Sequence, residues 1–535
     1  MQTRTVRGVK VAAALGLCAA SALAATGLAF MLRPAAAPLA APAGKGTKLE
    51  MPKHLFRGWT KPDLTLVLSG EQHGYLLPCG CSRPQYGGLE RRYNLIQILR
   101  RDGWPTVALD LGDVPQLEPL HRQANVGGPV LQNVQGLIKY RYAMESMDRM
   151  GYVAVGAGRH EAGLSLFSVL AEYALQRKTP VVLAANLRDR ETLFPEQVDD
   201  SLVVKGIPGS TLKLGVTSVA GPSVQKEIKD PNVRFLDNRV ELPKALAKLQ
   251  KGGADVRVLL YQGSLKEAAA LARDCKDFHV ILCLSPEEEP RSDPVMVGDV
   301  LVVTVGHKGR YVGVVGVYKT GNARRPFELR YQLVTMGEEF LTPPGEVATH
   351  PILNKMEEYT RELKSQNYLA KYAPGKHPNQ VAVPGVVPTY VGDSKKCQRC
   401  HKAAYAVWEK SKHAHAFDTL LKPPSGPANR QYDGECIVCH TVGFGYESGY
   451  RNERETPLLK NVGCESCHGP ASEHVKRPHD KRWHPLLNPW HAPANETPAM
   501  KQRRQLRIGE FCQQCHDIDN DVKYKFELRW PPIAH

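Results

Sequence analysis

The chain has 535 residues, enough for two or three domains, and its 42% hydrophobic and 23% charged residues are typical of a folded soluble protein rather than a disordered one. Its formal net charge of +16 would suit an anionic partner. No basic block with interleaved aromatic residues occurs, so we expect no nucleic acid partner.

The N-terminus has the pattern of an export signal. Three basic residues precede an uncharged run, residues 11–32, which exceeds the core of a cleaved signal peptide and approaches the roughly 20 residues that span a bilayer. We predict residues 1–33 to be either a signal peptide or an N-terminal membrane anchor, and residues 34–62 to be a linker. Either alternative predicts a periplasmic protein, tethered to the inner membrane if the segment is retained.

Residues 63–337 alternate short apolar runs with helical patterns. Helices are predicted at residues 89–101, 131–150 and 164–176, and buried strands at LTLVLSG, PTVALDLGD, GYVAVGAG, TPVVLAANL, LKLGVTSVAG, VRVLLYQGS, FHVILCLS and DVLVVTV. This alternation is typical of an α/β layered sandwich. Residues 338–389 are predicted to contain one further helix and a linker rich in proline, glycine and valine.

The last 146 residues, 390–535, differ in character, because they hold eight of the 13 cysteines and 11 of the 19 histidines. Four Cys-x-x-Cys-His motifs occur there: Cys397, Cys400 and His401; Cys436, Cys439 and His440; Cys464, Cys467 and His468; Cys512, Cys515 and His516. This is the attachment pattern of c-type haem, in which two thiols bind the porphyrin and the histidine ligates the iron. Paired cysteines also bind zinc, but a histidine after every pair favours haem. We therefore predict four c-type haems in a mainly α, haem-packed domain.

The segments around these motifs, including SKKCQRCHKAAYAVWEKSKHAHAF, CIVCHTVGFGYESGY and LKNVGCESCHGPASEHV, resemble the tetrahaem cytochrome c family whose best-known member accepts electrons from hydroxylamine oxidoreductase. The resemblance implies a second iron ligand for three haems: His474 for haem 1, His413 for haem 3 and His535 for haem 4. Haem 2, on His440, is implied to lack a second protein ligand.

The N-terminal motifs GEQHG, YGGLERR, LDLGDV and GAGRHEAG resemble the metallophosphatase domain of periplasmic 5′-nucleotidases, which binds two metal ions. The likeness is degenerate. Glu71 replaces an aspartate, and Arg159 replaces the metal-binding asparagine. The motif residues His73, Asp113 and His160 are kept. The later histidines are not found. These departures predict a retained fold without a two-metal phosphatase site, and no second metal site is expected in this domain beside the haems. Because unpaired buried carboxylates are costly, we predict a salt bridge from Arg159 to Glu71 or Asp113.

Cys79 and Cys81, in PCGCS, lie on the loop after the first strand. Three interpretations remain open: a structural or incidental pair, a redox-active thiol pair, or a metal site formed with His73.

The function that we predict is electron transfer between a redox protein donor and acceptor. A redox enzyme that acts on a small nitrogen or sulfur compound, at haem 2 or at the Cys-Gly-Cys site, is the alternative. A metal-dependent phosphoesterase is a lesser one.

Overall fold

The computed structural model describes residues 49–80, 83–117, 120, 133–174, 179–190, 198–423 and 426–535. The predicted signal or anchor, the first part of the predicted linker and Cys81 lie outside the described residues. Among the helices of the described part, none is both long and apolar enough to cross a membrane.

The eight predicted strands all occur. The described residues add four short strands between them and two strands of nine residues after them. In chain order the strands are β1 (Leu64–Ser69), β2 (Thr106–Asp110), β3 (Tyr152–Gly156), β4 (Val181–Leu183), β5 (Leu187–Asp189), β6 (Ser201–Val204), β7 (Leu214–Ala220), β8 (Val233–Phe235), β9 (Val256–Gln262), β10 (Val280–Cys283), β11 (Val295–Val297), β12 (Val300–Val303), β13 (Tyr311–Lys319) and β14 (Phe327–Thr335).

The longest α-helices of the described residues have 15 residues, and one of these three lies near the C-terminus. In chain order the α-helices are α1 (Leu89–Arg101), α2 (Gly136–Met150), α3 (Arg159–Gly163), α4 (Leu166–Glu172), α5 (Pro222–Glu227), α6 (Asn238–Lys251), α7 (Leu265–Asp274), α8 (Pro351–Ser365), α9 (Ser394–Gln398), α10 (Lys402–Glu409), α11 (Asp418–Leu421), α12 (Gly434–His440), α13 (Cys464–His468), α14 (Ser472–Lys476), α15 (His484–Leu487), α16 (Pro498–Cys512) and α17 (Phe526–Arg529).

Two six-stranded sheets form the α/β part. The first has the order β14-β13-β1-β2-β3-β4 and the second β11-β12-β10-β9-β7-β6. Strands β1 to β4 pair in parallel, as do β7, β9, β10 and β12. Parallel neighbours end at the same edge of their sheet, so the loops after β1, β2 and β3 meet there.

Each sheet has one face on the other sheet and one face on helices, which confirms the predicted α/β layered sandwich. Along β1, Leu66 joins the cluster between the sheets and the alternate residue Val67 joins the cluster under α1 and α2. Helix α8 belongs to that second cluster through Ile352 and Met356. It is the helix that was predicted within residues 338–389, and it packs on the α/β core.

The described residues from 390 onward form helices and turns without strands, and every α-helix there except α16 has eight residues or fewer. This fits the predicted mainly α domain. Their apolar clusters are small, and the motif residues line a cavity of about 3250 Å³. Typical small-molecule pockets measure about 300–1,000 Å³, so this space would hold several large cofactors.

Candidate functional site

Helical turns bring each motif histidine beneath its cysteines. The third motif is helix α13 itself, the second ends α12, and the fourth begins at the last residue of α16. In the first and fourth motifs the histidine N–H donates to the carbonyl of the first cysteine, at 2.9 Å for His401 and 3.0 Å for His516. This turn places two thiols and one imidazole together, as covalent haem attachment requires.

Three of the four motif histidines face a second histidine ring across the cavity. The ring centroids are 6.0 Å apart for His401 and His474, 6.1 Å for His413 and His516, and 6.0 Å for His468 and His535. Two imidazoles on opposite sides of one metal, with bonds of about 2 Å, have centroids roughly 6 Å apart. Each pair therefore fits one six-coordinate haem iron.

Two of these pairs differ from the assignment that the family resemblance implied. His413 faces His516, on the fourth motif, and His535 faces His468, on the third, so the implied ligands of haems 3 and 4 are exchanged. The carbonyl of His413 accepts a hydrogen bond from the N–H of Val462 at 3.1 Å. Such long-range contacts orient the ring, and the spacing along the sequence does not encode them.

His440, on the second motif, forms no ring pair with another described histidine. Its Nδ1 lies 2.6 Å from the carbonyl of Ala416, which leaves Nε2 for an iron. The buried side chains of Val442 and Phe444 belong to the apolar cluster beside this motif. The second motif thus has a different environment from the other three.

The partners of the motif histidines also differ in charge. Nδ1 of His468 lies 2.6 Å from the carbonyl of Leu487, whereas Nδ1 of His516 lies 3.0 Å from the carboxylate of Asp521. An acceptor with a full negative charge makes the imidazole a stronger electron donor to a bound metal. Asp521 is therefore placed to lower the reduction potential of an iron on His516.

Side-chain interactions link the motifs in pairs. The thiols of Cys397 and Cys464, in motifs one and three, share a hydrogen bond. Burial raises the pKa of Cys467, in motif three, to about 12, and the thiols of motif four add to this shift. Burial lowers the pKa of His440, in motif two, and the Cys515 thiol of motif four partly opposes it. Motif four therefore acts electrostatically on motifs two and three.

A second cluster lies at the edge of the first sheet, where the loops after β1, β2 and β3 meet. Ligand atoms of His73, Asp113 and His160 all lie within 4.8 Å of one another, and the two imidazoles stack with centroids 4.2 Å apart. His73 and Asp113 have φ values of 47° and 53°, which non-glycine residues rarely adopt. Burial lowers the pKa of His73 to about 2, so its imidazole is neutral at physiological pH.

His307 belongs to this region, so the expectation that the later histidines are missing is wrong for this one. Its Nε2 lies 3.1 Å from Oε2 of Glu71, and its ring centroid lies 5.2 Å from that of His73. Glu71 also accepts a 2.7 Å hydrogen bond from the N–H of Ser285. The signal for His307 was its position in GHKG, directly after the buried run LVVTV.

Arg159 does not compensate these carboxylates, and the predicted salt bridge is wrong. Its Nη1 lies 2.7 Å from Oε2 of Glu227 on α5, and its side chain is 40% exposed. Ion pairs among the described residues include none from Arg159 to Glu71 or Asp113. Arg159 is the first residue of α3 and extends towards α5, while the next backbone N–H, that of His160, donates to Asp113 at 2.8 Å.

Cys79 lies where the α/β part meets the second and fourth motifs. Its Sγ accepts a hydrogen bond of 3.2 Å from Gln85, and its carbonyl accepts one from Arg430, which precedes α12. Gln85 also donates at 3.0 Å to the carbonyl of Asp519, three residues after the motif histidine His516. Cys81 is outside the described residues, so the role of the pair stays a prediction.

Ion pairs and a buried amide strengthen this junction. The carboxylate of Asp519 pairs with Lys308 at 2.5 Å and also with Arg310. At the start of α12, the amide of Gln135 donates to Asp433 and accepts from the N–H of Gly434, both at 3.0 Å. The α/β part therefore holds the second and fourth motifs directly.

Comparison with known proteins distinguishes the two parts. Residues 396–469 match the family model of cytochrome c554 and c-prime. Cytochrome c-554 of Nitrosomonas europaea is 32% identical over 135 residues, which cover 23% of this chain and 55% of that protein. The match thus spans about half the length of this curated relative.

Solved structures similar to this chain include a 5′-nucleotidase precursor from Thermus thermophilus, with 23% identity and a TM-score of 0.43, covering 56% of this chain and 59% of that one. A calcineurin-like phosphoesterase from Bacillus subtilis has 16% identity and a TM-score of 0.42, covering 56% and 97%. The C-terminal region of the chain is thus similar to the cytochrome c554 and c-prime family, and an α/β part precedes it.

Proposed function

We propose that this protein is an exported tetrahaem c-type cytochrome that transfers electrons between a redox protein donor and acceptor in the periplasm. Three facing histidine pairs, His401 with His474, His413 with His516 and His468 with His535, carry the proposal. A c-type haem with two histidine ligands supplies one-electron chemistry without an open position for substrate. Residues 11–32 would tether the protein to the inner membrane if they are retained.

The proximity of the motifs supports the same proposal. Motifs one and three share a hydrogen bond, and thiols of motif four act electrostatically on Cys467 of motif three and on His440 of motif two, so no motif is isolated from the others. Motifs two and four also contact the α/β part, through Arg430 and Asp519. We infer that electrons enter or leave at the first-motif end, where a partner protein would dock.

The haem content gives the most direct test. We expect the intact mass of the purified protein to exceed the polypeptide mass by four haems, because each of the four motifs has two cysteines and a histidine in a helical turn. Replacing Cys464 and Cys467 together by serine should remove one haem mass. Two or fewer haems on the unsubstituted protein would contradict the proposal.

Electron transfer itself is tested by mixing the reduced protein with an oxidised small c-type cytochrome in a stopped-flow spectrometer. We expect all four haems to be reoxidised within the same reaction, because the motifs form one connected series. If a fraction of the haems stays reduced over many turnovers, the motifs are not electronically connected, and the electron-transfer proposal fails.

A redox enzyme acting on a small nitrogen or sulfur compound is the second candidate, and the environment of His440 favours it. No second described histidine pairs with this ring, and buried Val442 and Phe444 lie beside it. An iron that keeps an open position in an apolar pocket binds small neutral ligands. Cys79 lines the same cavity as His440, and its carbonyl accepts a hydrogen bond from Arg430, which precedes the second motif.

Ligand binding to the second haem tests whether the enzyme candidate has an open iron. We expect the reduced protein to bind about one carbon monoxide or nitric oxide per four haems, and the oxidised protein to show one high-spin ferric signal in electron paramagnetic resonance. Replacing His474 by alanine should open a second iron and raise the binding to about two ligands per four haems. This variant calibrates the measurement. A protein that binds no ligand and shows no high-spin signal would exclude the enzyme at haem 2.

A further inference from the structure

A row of buried aromatic side chains runs from the second motif to the outer side of the α/β part. The row consists of Phe444, Tyr372, Tyr359 and Tyr142, each at most 4% exposed. We propose that its three tyrosines protect the second haem by giving up electrons, one at a time, to a peroxide that reacts there. The inference goes beyond electron transfer between proteins, and it rests on the proposal that the iron on His440 keeps an open position.

Contacts connect the members of the row without a gap. The rings of Phe444 and Tyr372 have centroids 5.3 Å apart, in edge-to-face contact. The rings of Tyr359 and Tyr142 have the same arrangement, with centroids 5.5 Å apart. The amide of Gln135 joins the two pairs, because it accepts from the hydroxyl of Tyr372 at 2.6 Å and donates to the hydroxyl of Tyr359 at 2.7 Å. Electron transfer falls off steeply with distance, so an unbroken series of contacts favours transfer in short steps.

The inner end of the row lies at the second motif. Phe444 and Tyr372 belong to the apolar cluster against which Cys436 packs. Tyr359 lines the same cavity as Cys436. Among the described residues, the other three motif histidines each face a second histidine, so the second haem is where a peroxide would find an open iron. The row therefore starts beside the haem that needs protection.

The outer end of the row has an acceptor for a phenolic proton. The hydroxyl of Tyr142, on α2, donates to Oε2 of Glu362 at 2.9 Å, and Glu362 lies one turn after Tyr359 on α8. A phenol gives up an electron readily only when its proton can leave at the same time. The side chain of Glu362 is 21% exposed, so its carboxylate can pass that proton to water. Packing of α2 against α8 would need the rings of the row but not this hydroxyl contact.

The reaction balances with the tyrosines as the electron donors. A molecule of hydrogen peroxide takes up two electrons and two protons, its O–O bond breaks, and two water molecules form. Two tyrosines, Tyr142 and either Tyr359 or Tyr372, each lose one electron and the phenolic proton and become neutral radicals. One peroxide and two phenols thus yield two waters and two tyrosyl radicals, with protons exchanged through Glu362 and water. The oxidising equivalents leave the haem and end at the outer side of the α/β part.

The test adds hydrogen peroxide to the fully oxidised, haem-loaded protein. Electron paramagnetic resonance of rapidly frozen samples measures the radicals, and a nitroso spin trap followed by peptide mass spectrometry locates them. We expect a tyrosyl signal and a trapped adduct on Tyr142. Tyr142→Phe keeps the ring and should weaken the tyrosyl signal and bleach the haem Soret band faster. Glu362→Gln keeps every ring of the row and should have the same two effects, because an amide does not accept the phenolic proton.

Tyr331→Phe is the matched control, because Tyr331 packs between the two sheets and its hydroxyl donates to the carbonyl of Thr304 at 3.3 Å. It should leave the radical signal and the bleaching rate unchanged. Carbon monoxide binding to each reduced variant reports the open iron separately, and far-ultraviolet circular dichroism reports folding. If carbon monoxide binds but peroxide yields no tyrosyl radical, or if Tyr142→Phe and Glu362→Gln behave like the control, the inference is overturned while the open iron stands. If no carbon monoxide binds, the open iron and the inference are overturned together.

Discussion

Replacing His413 by alanine is expected to convert one haem, the haem on His516, from low-spin to high-spin. The two imidazoles face each other with centroids 6.1 Å apart, so the substitution would remove the second ligand of that iron alone. Electron paramagnetic resonance of the oxidised protein measures the change, as loss of one low-spin signal and gain of one high-spin signal. His415→Ala, two residues away and exposed, should leave the spectrum unchanged.

A second substitution identifies which haem has changed. Asp521 accepts from His516 and from Arg529, and it contacts no other motif histidine of the described residues. Asp521→Asn should therefore shift the potential of the haem on His516 towards more positive values. In Asp521→Asn, one low-spin signal should show a shifted reduction potential. That signal should be the one that disappears in His413→Ala. If His413→Ala instead removes a different signal, His413 serves another haem, as the family resemblance implied.

Asp519→Asn is expected to destabilise the protein by about 2 kcal/mol. The substitution leaves Lys308 and Arg310 without their shared carboxylate at the junction of the α/β part and the fourth motif. Breaking a buried pair costs about 3–5 kcal/mol, but Asp519 is 20% exposed and Glu288 still pairs with both cations, so the effect is smaller here. The midpoint of guanidinium-induced unfolding measures the loss.

Asp299→Asn is the control for this measurement. Asp299 pairs with Arg325 at 3.2 Å in an exposed contact, with side chains 74% and 66% exposed, so its loss should leave the unfolding midpoint unchanged. Equal effects of the two substitutions would show that the junction contributes no more than a surface ion pair.

Local patterns in the sequence predicted the elements and the haem motifs. Each apolar run that was predicted to be a strand is a strand of one of the two sheets, because a buried parallel strand must be apolar along its length. The helix predicted at residues 131–150 begins at Gly136 and ends at Met150. The spacing of Cys-x-x-Cys-His needs only one helical turn, so four attachment motifs were legible without any tertiary information.

Contacts between remote residues could not be predicted in this way. The exchange of partners between His413 and His535 depends on how the C-terminal segment packs against the third motif. The misplacement of Arg159 has a similar cause, because Glu227 is 68 residues further along the chain and only the fold brings it near. His307 was missed for a different reason. Its position directly after a buried strand is a local sequence pattern, but the comparison with the nucleotidase motifs directed attention to other positions.

The attachment of α12 to Gln135 has a consequence for biogenesis. Asp433 and Gly434, which are buried, are fixed by the Gln135 amide immediately before Cys436. Haem attachment would need both thiols of this motif to reach the porphyrin, and the docked helix restricts that access. We therefore expect haem to be attached to the second motif before the two parts of the chain close on each other. The maturation machinery would act on a partly folded chain, and a chain that closed too early would be trapped without this cofactor.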